Sequence, residues 1–368
     1  YGENKKSGKT DLKIWVNWGR DQAMVLNSLI EESFTSETGI KVNLELTDAT
    51  LVKGILSGNA PDLSLHLART EPVNLAMRGA LYDLTQFDDY DEVLKRFGDS
   101  ADVPYRYGGG TYALPDTQSF YIMFYRRDIL EKLEIPVPET WDEFIALCEQ
   151  IQSEGIQPLY FGFKDTWTCL APWNAIAVDL APADVCSQVN KGETTFSDEY
   201  REVAEKTQAL LAYGPKDPFA YDYNGACTAF ANGESAMYTI GSYAIPQIQT
   251  VNPDMDIDSF VMPANNDASE NKLNSGVDLQ FSVMKDCENK EAAYEVLDFL
   301  LKDENVQSYL DEQKAVPCKE GDFELASTLD GVKSFIEEGR MADYQDHYYP
   351  SEMSVDAQIQ TFLMKGDV

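Results

Sequence analysis

The sequence is short of positive charge, of histidine and of long apolar runs, and each shortage excludes a class of function. Lys and Arg number 29 against 63 Asp and Glu, a formal charge of −34. That excess repels DNA, RNA and anionic lipid, and disfavours an anionic ligand outside a locally basic pocket. Its plain consequence is solubility. Histidine occurs twice, as His66 and His347, which leaves little material for a histidine metal site or a histidine-based triad. No apolar run approaches the length needed to cross a bilayer. The six cysteines, at 148, 169, 186, 227, 287 and 318, include no pair two or three apart, so neither a zinc knuckle nor a redox pair is indicated. Cys148 falls on an apolar stripe and reads as core, while pairing of Cys169 with Cys186 is left open. GxGxxG, the Walker A motif, GxSxG and HExxH are all absent. Asp254, Asp256 and Asp258 echo a calcium loop, but Ser259 and Asn265 stand where that loop needs Gly and Glu. Neither a metal nor a cofactor is expected.

What is present is an ordinary globular composition, 43% hydrophobic and 25% charged, in a chain of 368 residues, long enough for two domains. Tyr1 to Thr10 are polar and suit a flexible tether. Leu12, Ile14 and Val16 then alternate as a strand, with Trp15 on the opposite side as a helix cover. Ala23, Leu26, Ile30 and Phe34 mark a helix that Gly39 ends, and Ile40, Val42, Leu44 and Leu46 alternate again. Strand, helix, strand with short connections predicts a right-handed crossover in a parallel sheet. A short helix over Leu51 to Leu56, a turn cluster over Ser57 to Asp62 and a third strand through Leu63, Leu65 and Leu67 follow.

The stretch from Gly110 to Gly155 is the most informative. Phe120 to Tyr125 is an unbroken aromatic and aliphatic run, as a strand buried on both faces requires. Thr140-Trp141-Asp142-Glu143 is a capping box ahead of Phe144, Leu147, Cys148 and Ile151, and Gly155 closes that helix in a left-handed turn. Ser197 to Leu211 is amphipathic, Tyr238 to Ile240 and Phe281 to Met284 read as strands, and Asn289 to Leu301 as a helix.

Several of these phrases carry a resemblance. Ala113-Leu114-Pro115, Phe124-Tyr125-Arg126-Arg127-Asp128 and Pro138-Glu139-Thr140-Trp141-Asp142-Glu143-Phe144 resemble the family 1 extracellular solute-binding proteins of ABC importers, the maltose-binding-protein-like class. Arg126 replaces the usual Asn. Phe34 to Val42, Ser57 to Asp62, Phe230 to Met237 and Ala315-Val316-Pro317 match further signatures in the right order. The resemblance thins between residues 165 and 225 and after 320.

It implies an α/β, two-lobed periplasmic-binding-protein-like fold of type II with about three crossings between lobes. Lobe one would be 11–115 plus 278–316, lobe two 116–277 plus 317–368, after a tether over 1–10. The implied function is capture of a carbohydrate, an oligosaccharide first, in the cleft between lobes and delivery to a membrane permease. The receptor would be a non-enzymatic monomer outside the cell membrane, cell-surface or periplasmic. Its membrane attachment would be an N-terminal lipid anchor that is not among these residues.

Candidate site residues follow from chemistry. Ligands of open α/β sheets bind beyond the carboxyl ends of strands. Sugars offer C–H faces to aromatic rings and hydroxyl rims to planar polar groups. The loops so placed supply Trp18, Arg20, Asp21, Asp48, His66, Arg69, Asp116, Gln118 and Asp278. Asp165, Trp167, Trp173 and Asn174 put two rings and two polar handles in a loop-like segment where relatives carry a stacking aromatic beside an acid. Tyr243 takes the place of a stacking Trp, and Tyr348 lies in a tyrosine-rich stretch. Each has a duller alternative: Trp18 serves core or ligand equally, and Asp48, Asp116 and Asp278 serve as turn or cap residues just as well. A non-sugar solute such as a peptide or polyamine, or a glycoside hydrolase acting through two facing carboxyls, stays open.

Overall fold

The computed structural model describes residues 11–16, 20–47, 49–67, 71–97, 101–314, 316–349 and 353–367. The chain divides into two compact units, residues 1–118 with 277–325 and residues 119–276 with 326–368.

In the first unit, alternation dictates the sheet. Asp11–Val16 pairs in parallel with Lys41–Leu46, from Asp11 opposite Lys41 to Val16 opposite Leu46. On its other side it pairs in parallel with Leu63–Leu67, and that strand lies antiparallel to the later part of Leu273–Val283. Leu12, Ile14 and Val16 are all under 3% exposed and pack with Leu26, Ile30 and Phe34 of the intervening helix. That helix runs Arg20–Leu29, widens into a π turn over Ile30–Thr35 and stops at Gly39, whose φ of 74° suits a residue without Cβ. Trp15 does cover a helix. A Cβ on Gly54 of the helix Leu51–Ser57 would lie 2.5 Å from its ring, and Leu51, Leu75 and Leu81 complete the cluster.

The second unit is built on Ser119 to Arg126, the later part of the strand Leu114–Arg126. Phe120 to Tyr125 are buried throughout, because both sides of the strand are covered. Met237–Gly241 and Ile257–Phe260 pair with it antiparallel. The apolar run marks a strand only over Phe120 to Tyr125, whereas the structure makes one continuous 13-residue strand, Leu114–Arg126. The capping box forms with one change: Glu143 N donates to Thr140 Oγ1 at 3.3 Å, but the Glu143 carboxylate accepts from Glu139 N rather than from Thr140.

The six cysteines are free, so the possible Cys169–Cys186 bridge is not made. Asp256 and Asp258 pair with Arg127, and no metal-holding cluster of His, Cys, Asp or Glu occurs among the described residues.

One half-buried carboxylate in this unit gives a pH-dependent expectation. Asp179, near the end of the helix Leu170–Leu180, is pushed up to about 8 by burial. The amides of Lys272 and Ala264 and the charges of Lys272 and Lys206 only partly offset that. Its folded pKa exceeds the ordinary 3.8, so the folded state holds the proton more tightly. Stability therefore falls as pH rises from about 4 to about 8. Asp179→Asn should raise the thermal midpoint at pH 8 and change it little at pH 4. Equal shifts at both pH values would refute the assignment.

Candidate functional site

The strand Met237–Gly241 ends at Gly241, and a Cβ there would collide with the ring of Tyr243. Glycine thus lets that ring fold back over the strand end. Two more rings meet it. Trp167 lies 5.9 Å and Tyr223 5.9 Å from Tyr243 between centroids, and Trp167 and Tyr223 are 5.0 Å apart. With interplanar angles of 54°, 54° and 60°, both Trp167 contacts are tilted and the Tyr223–Tyr243 contact is edge-to-face. Trp167 is 37% exposed, so this aromatic corner opens to solvent.

Local structure fixes each ring. Trp167 rides on the 3₁₀ turn Thr166–Cys169, which runs directly into the helix Leu170–Leu180. Tyr223 is the first residue of the helix Tyr223–Ala231, capped by Asp222, which accepts from Gly225 N at 2.7 Å. Asp165 joins the two, its Oδ2 accepting from Tyr223 N at 2.8 Å. Burial holds the Tyr223 phenol well above its ordinary range, with Cys227 beside it, so it stays protonated. Cys227 itself is pushed up to about 12 by burial, which keeps it a thiol rather than a nucleophile.

The structure sets Trp167 against Tyr243 and ties Asp165 to Tyr223, a ring that the sequence pattern does not single out. The available signal was the Asp222 cap: a residue directly after an N-cap begins a helix, and here it stands beside the acid loop.

Trp173 and Asn174 are a correction. The sequence suggests a loop-like segment, but beyond Cys169 it is helix, and the period of 3.6 turns those side chains inward. Trp173 is 8% exposed, packs 5.7 Å from Tyr200 and donates Nε1 to Tyr349 Oη at 3.4 Å. Asn174 is fully buried, and its amide is spent on Asp346, donating to Oδ1 at 2.8 Å and accepting from the Asp346 amide at 3.2 Å. Both hold the 345–349 turn.

In the first unit, Asp116 and Gln118 are half-buried on the strand Leu114–Arg126. The Asp116 carbonyl accepts from Cys318 N, and Gln118 Nε2 donates to the Pro317 carbonyl at 3.0 Å. Trp18, Asp48 and Arg69 lie outside the described residues. Arg20 and Asp21 open the first helix, His66 lies on the third strand, Asp278 on Leu273–Val283 and Tyr348 on a 3₁₀ turn. The side chains of these five lie outside the described set. The strands Asp11–Val16, Lys41–Leu46 and Leu63–Leu67 run parallel, so their carboxyl ends share one edge of the sheet.

A family profile described as "Bacterial extracellular solute-binding protein" matches residues 21–307. The chain belongs to that family. Among curated relatives of this solute-binding protein, the "Multiple sugar-binding protein" of Streptococcus mutans serotype c is 23% identical over 326 residues, 84% of this chain and 76% of its own. Among solved structures, the solute-binding protein RafE in complex with raffinose superposes with a TM-score of 0.80 at 22% identity, covering 97% of this chain and 95% of that one. The solute receptor AcbH, described as having an exclusive preference for β-D-galactopyranose, gives a TM-score of 0.81 at 23% identity over 96% and 94%. These structures establish the fold, α/β as expected. The family consists of binding proteins located outside the cell membrane, and no described helix of this member is long and apolar enough to cross one.

Proposed function

We propose that this solute-binding protein captures a carbohydrate, an oligosaccharide first, and delivers it unchanged to the permease of an ABC importer. The observation that carries the reading is the solvent-open corner of Trp167, Tyr223 and Tyr243, three rings at one strand end. Rings so arranged offer apolar faces to sugar C–H patches. The sugars named for its relatives and neighbours support the same class. The deficit of positive charge favours a neutral glycan over an anionic one.

Trp18, Arg20, Asp21, Asp48, His66, Arg69, Asp116, Gln118, Asp278 and Tyr348 keep their place in this proposal as partners for sugar hydroxyls or faces. The lobe boundaries at 11–115 plus 278–316 and 116–277 plus 317–368, the monomeric state and an N-terminal lipid anchor belong to it as well.

A thermal-shift panel tests it. A ligand held at about 100 times its dissociation constant adds about 2.7 kcal/mol to stability, a rise of several degrees. Raffinose, stachyose, galactose, and chitin and xylan oligosaccharides should include at least one that raises the midpoint and is recovered intact afterwards. A shift confined to peptides, polyamines or phosphorylated compounds would overturn the reading, as would cleavage products from a bound sugar.

A further inference from the structure

We propose that Asp356, on the last helix of the second unit, is a positioning residue that sets where the Trp167 ring stands, acting through Thr166. Its consequence for sugar capture rests on the function proposed above.

The argument starts from exposure. A ring that is 37% exposed is packed only in part, here against Tyr223 and Tyr243, so its backbone helps to set its place. That backbone is a four-residue 3₁₀ turn, too short to be rigid by itself. Fastenings from outside must hold it. One is the Asp165 carboxylate on Tyr223 N, and a second is the Thr168 hydroxyl, which donates to the carbonyls of Gly162 at 2.9 Å and Asp165 at 2.8 Å.

The third comes from 190 residues further along the chain. Thr166 Oγ1 donates to Asp356 Oδ2 at 2.7 Å. Gln360, one helical turn beyond Asp356, donates Nε2 to the Phe163 carbonyl at 2.6 Å and to the Lys164 carbonyl at 3.3 Å. Residues four apart lie on one helical face, so the helix Val355–Lys365 presents Asp356 and Gln360 together to the chain on both sides of Asp165. Asp356 is the second residue of that helix, where the positive end of the helix dipole favours a carboxylate. A carboxylate acceptor makes this a charge-assisted bond, as at Asp165 on Tyr223 N, and it grips the residue immediately before Trp167.

The test has two arms. Backbone deuterium exchange on the ligand-free protein should be at least about fivefold faster over residues 165–170 in Asp356→Ala and in Thr166→Val. Asp356→Asn, which keeps an acceptor oxygen, should exchange like the wild type. By calorimetry with raffinose or stachyose, whichever binds the wild type, Asp356→Ala and Thr166→Val should each lose about tenfold in affinity. The double variant should lose no more than either, because both remove one bond. Unchanged exchange in both single variants would overturn the proposal whether or not a sugar binds. So would faster exchange with unaltered affinity, since Asp356 would then brace the fold without placing the ring. If neither sugar binds the wild type, the sugar reading is what loses support, and the exchange arm still decides the role of Asp356.

Discussion

Trp167→Ala should weaken sugar binding by about 30-fold, with little change in thermal stability of the unliganded protein. A well-placed aromatic anchor is worth about 2 kcal/mol or more, and 1.4 kcal/mol is tenfold in affinity. The ring is 37% exposed, so its removal opens no cavity in the core. Trp167→Phe keeps a stacking face and should recover most of the loss. Trp173 is the internal control. It lies six residues away, but its ring is 8% exposed against Tyr200, so Trp173→Ala should cost about 3–5 kcal/mol of stability. Isothermal titration with a binding sugar and thermal melts separate the two. A Trp167→Ala protein within threefold of wild-type affinity would remove the aromatic corner from the binding site.

The second large effect falls on stability. Asp102 in the first unit is 2% exposed and accepts from Tyr90 Oη at 2.8 Å, Arg106 at 2.6 Å and Thr111 Oγ1 at 3.2 Å. It ties the helix Tyr90–Leu94 to the small hairpin of Arg106–Tyr107 and Gly110–Thr111. Asp102→Ala leaves the buried hydroxyls of Tyr90 and Thr111 without their acceptor. Each orphaned group costs about 1–3 kcal/mol, so a loss of about 3 kcal/mol is expected, on the order of 6–12 °C in midpoint. Burial alone would raise the Asp102 carboxyl, but Arg106, Tyr90 and Thr111 outweigh it and hold it below the ordinary 3.8. A depressed folded pKa gives stability that is present above the unfolded value and lost as pH falls through the folded one. The gap between wild type and Asp102→Ala should therefore narrow in acid as the pH falls below the ordinary 3.8 and through the depressed folded value. A variant that melts within 2 °C of wild type at pH 7 would show that the three donors find other partners.

Much of this architecture is written locally. Alternation at Leu12, Ile14 and Val16 needs no partner to be read, because a strand has period 2 whatever lies beside it. Gly39 and Gly155 mark helix ends because φ values of 74° and 76° burden any residue with a Cβ. The capping box at Thr140 is equally local, and it forms. The aromatic corner was legible in part. Trp167 and Tyr243 stand at ends of elements, where side chains leave the core, and the sequence marks those ends. Trp18, Asp48 and Arg69, which the same rule about strand ends selects, lie outside the described residues.

Other features came from distant parts of the chain meeting. Whether Trp173 joins Trp167 or turns away depends on where a 3₁₀ turn becomes a helix, a choice the ten residues from Asp165 to Asn174 do not encode by period alone. The fate of Asn174 depends on Asp346, and that of Thr166 on Asp356, across 172 and 190 residues. Sequence by itself determined many of the elements and the family, and it held the ring-plus-acid composition on which the sugar proposal rests, since hydrophobic period and caps act over a few residues. Tertiary structure decided which ring faces water and which carboxylates are already engaged. Burial and hydrogen bonding are settled by neighbours in space, and chain order does not record them.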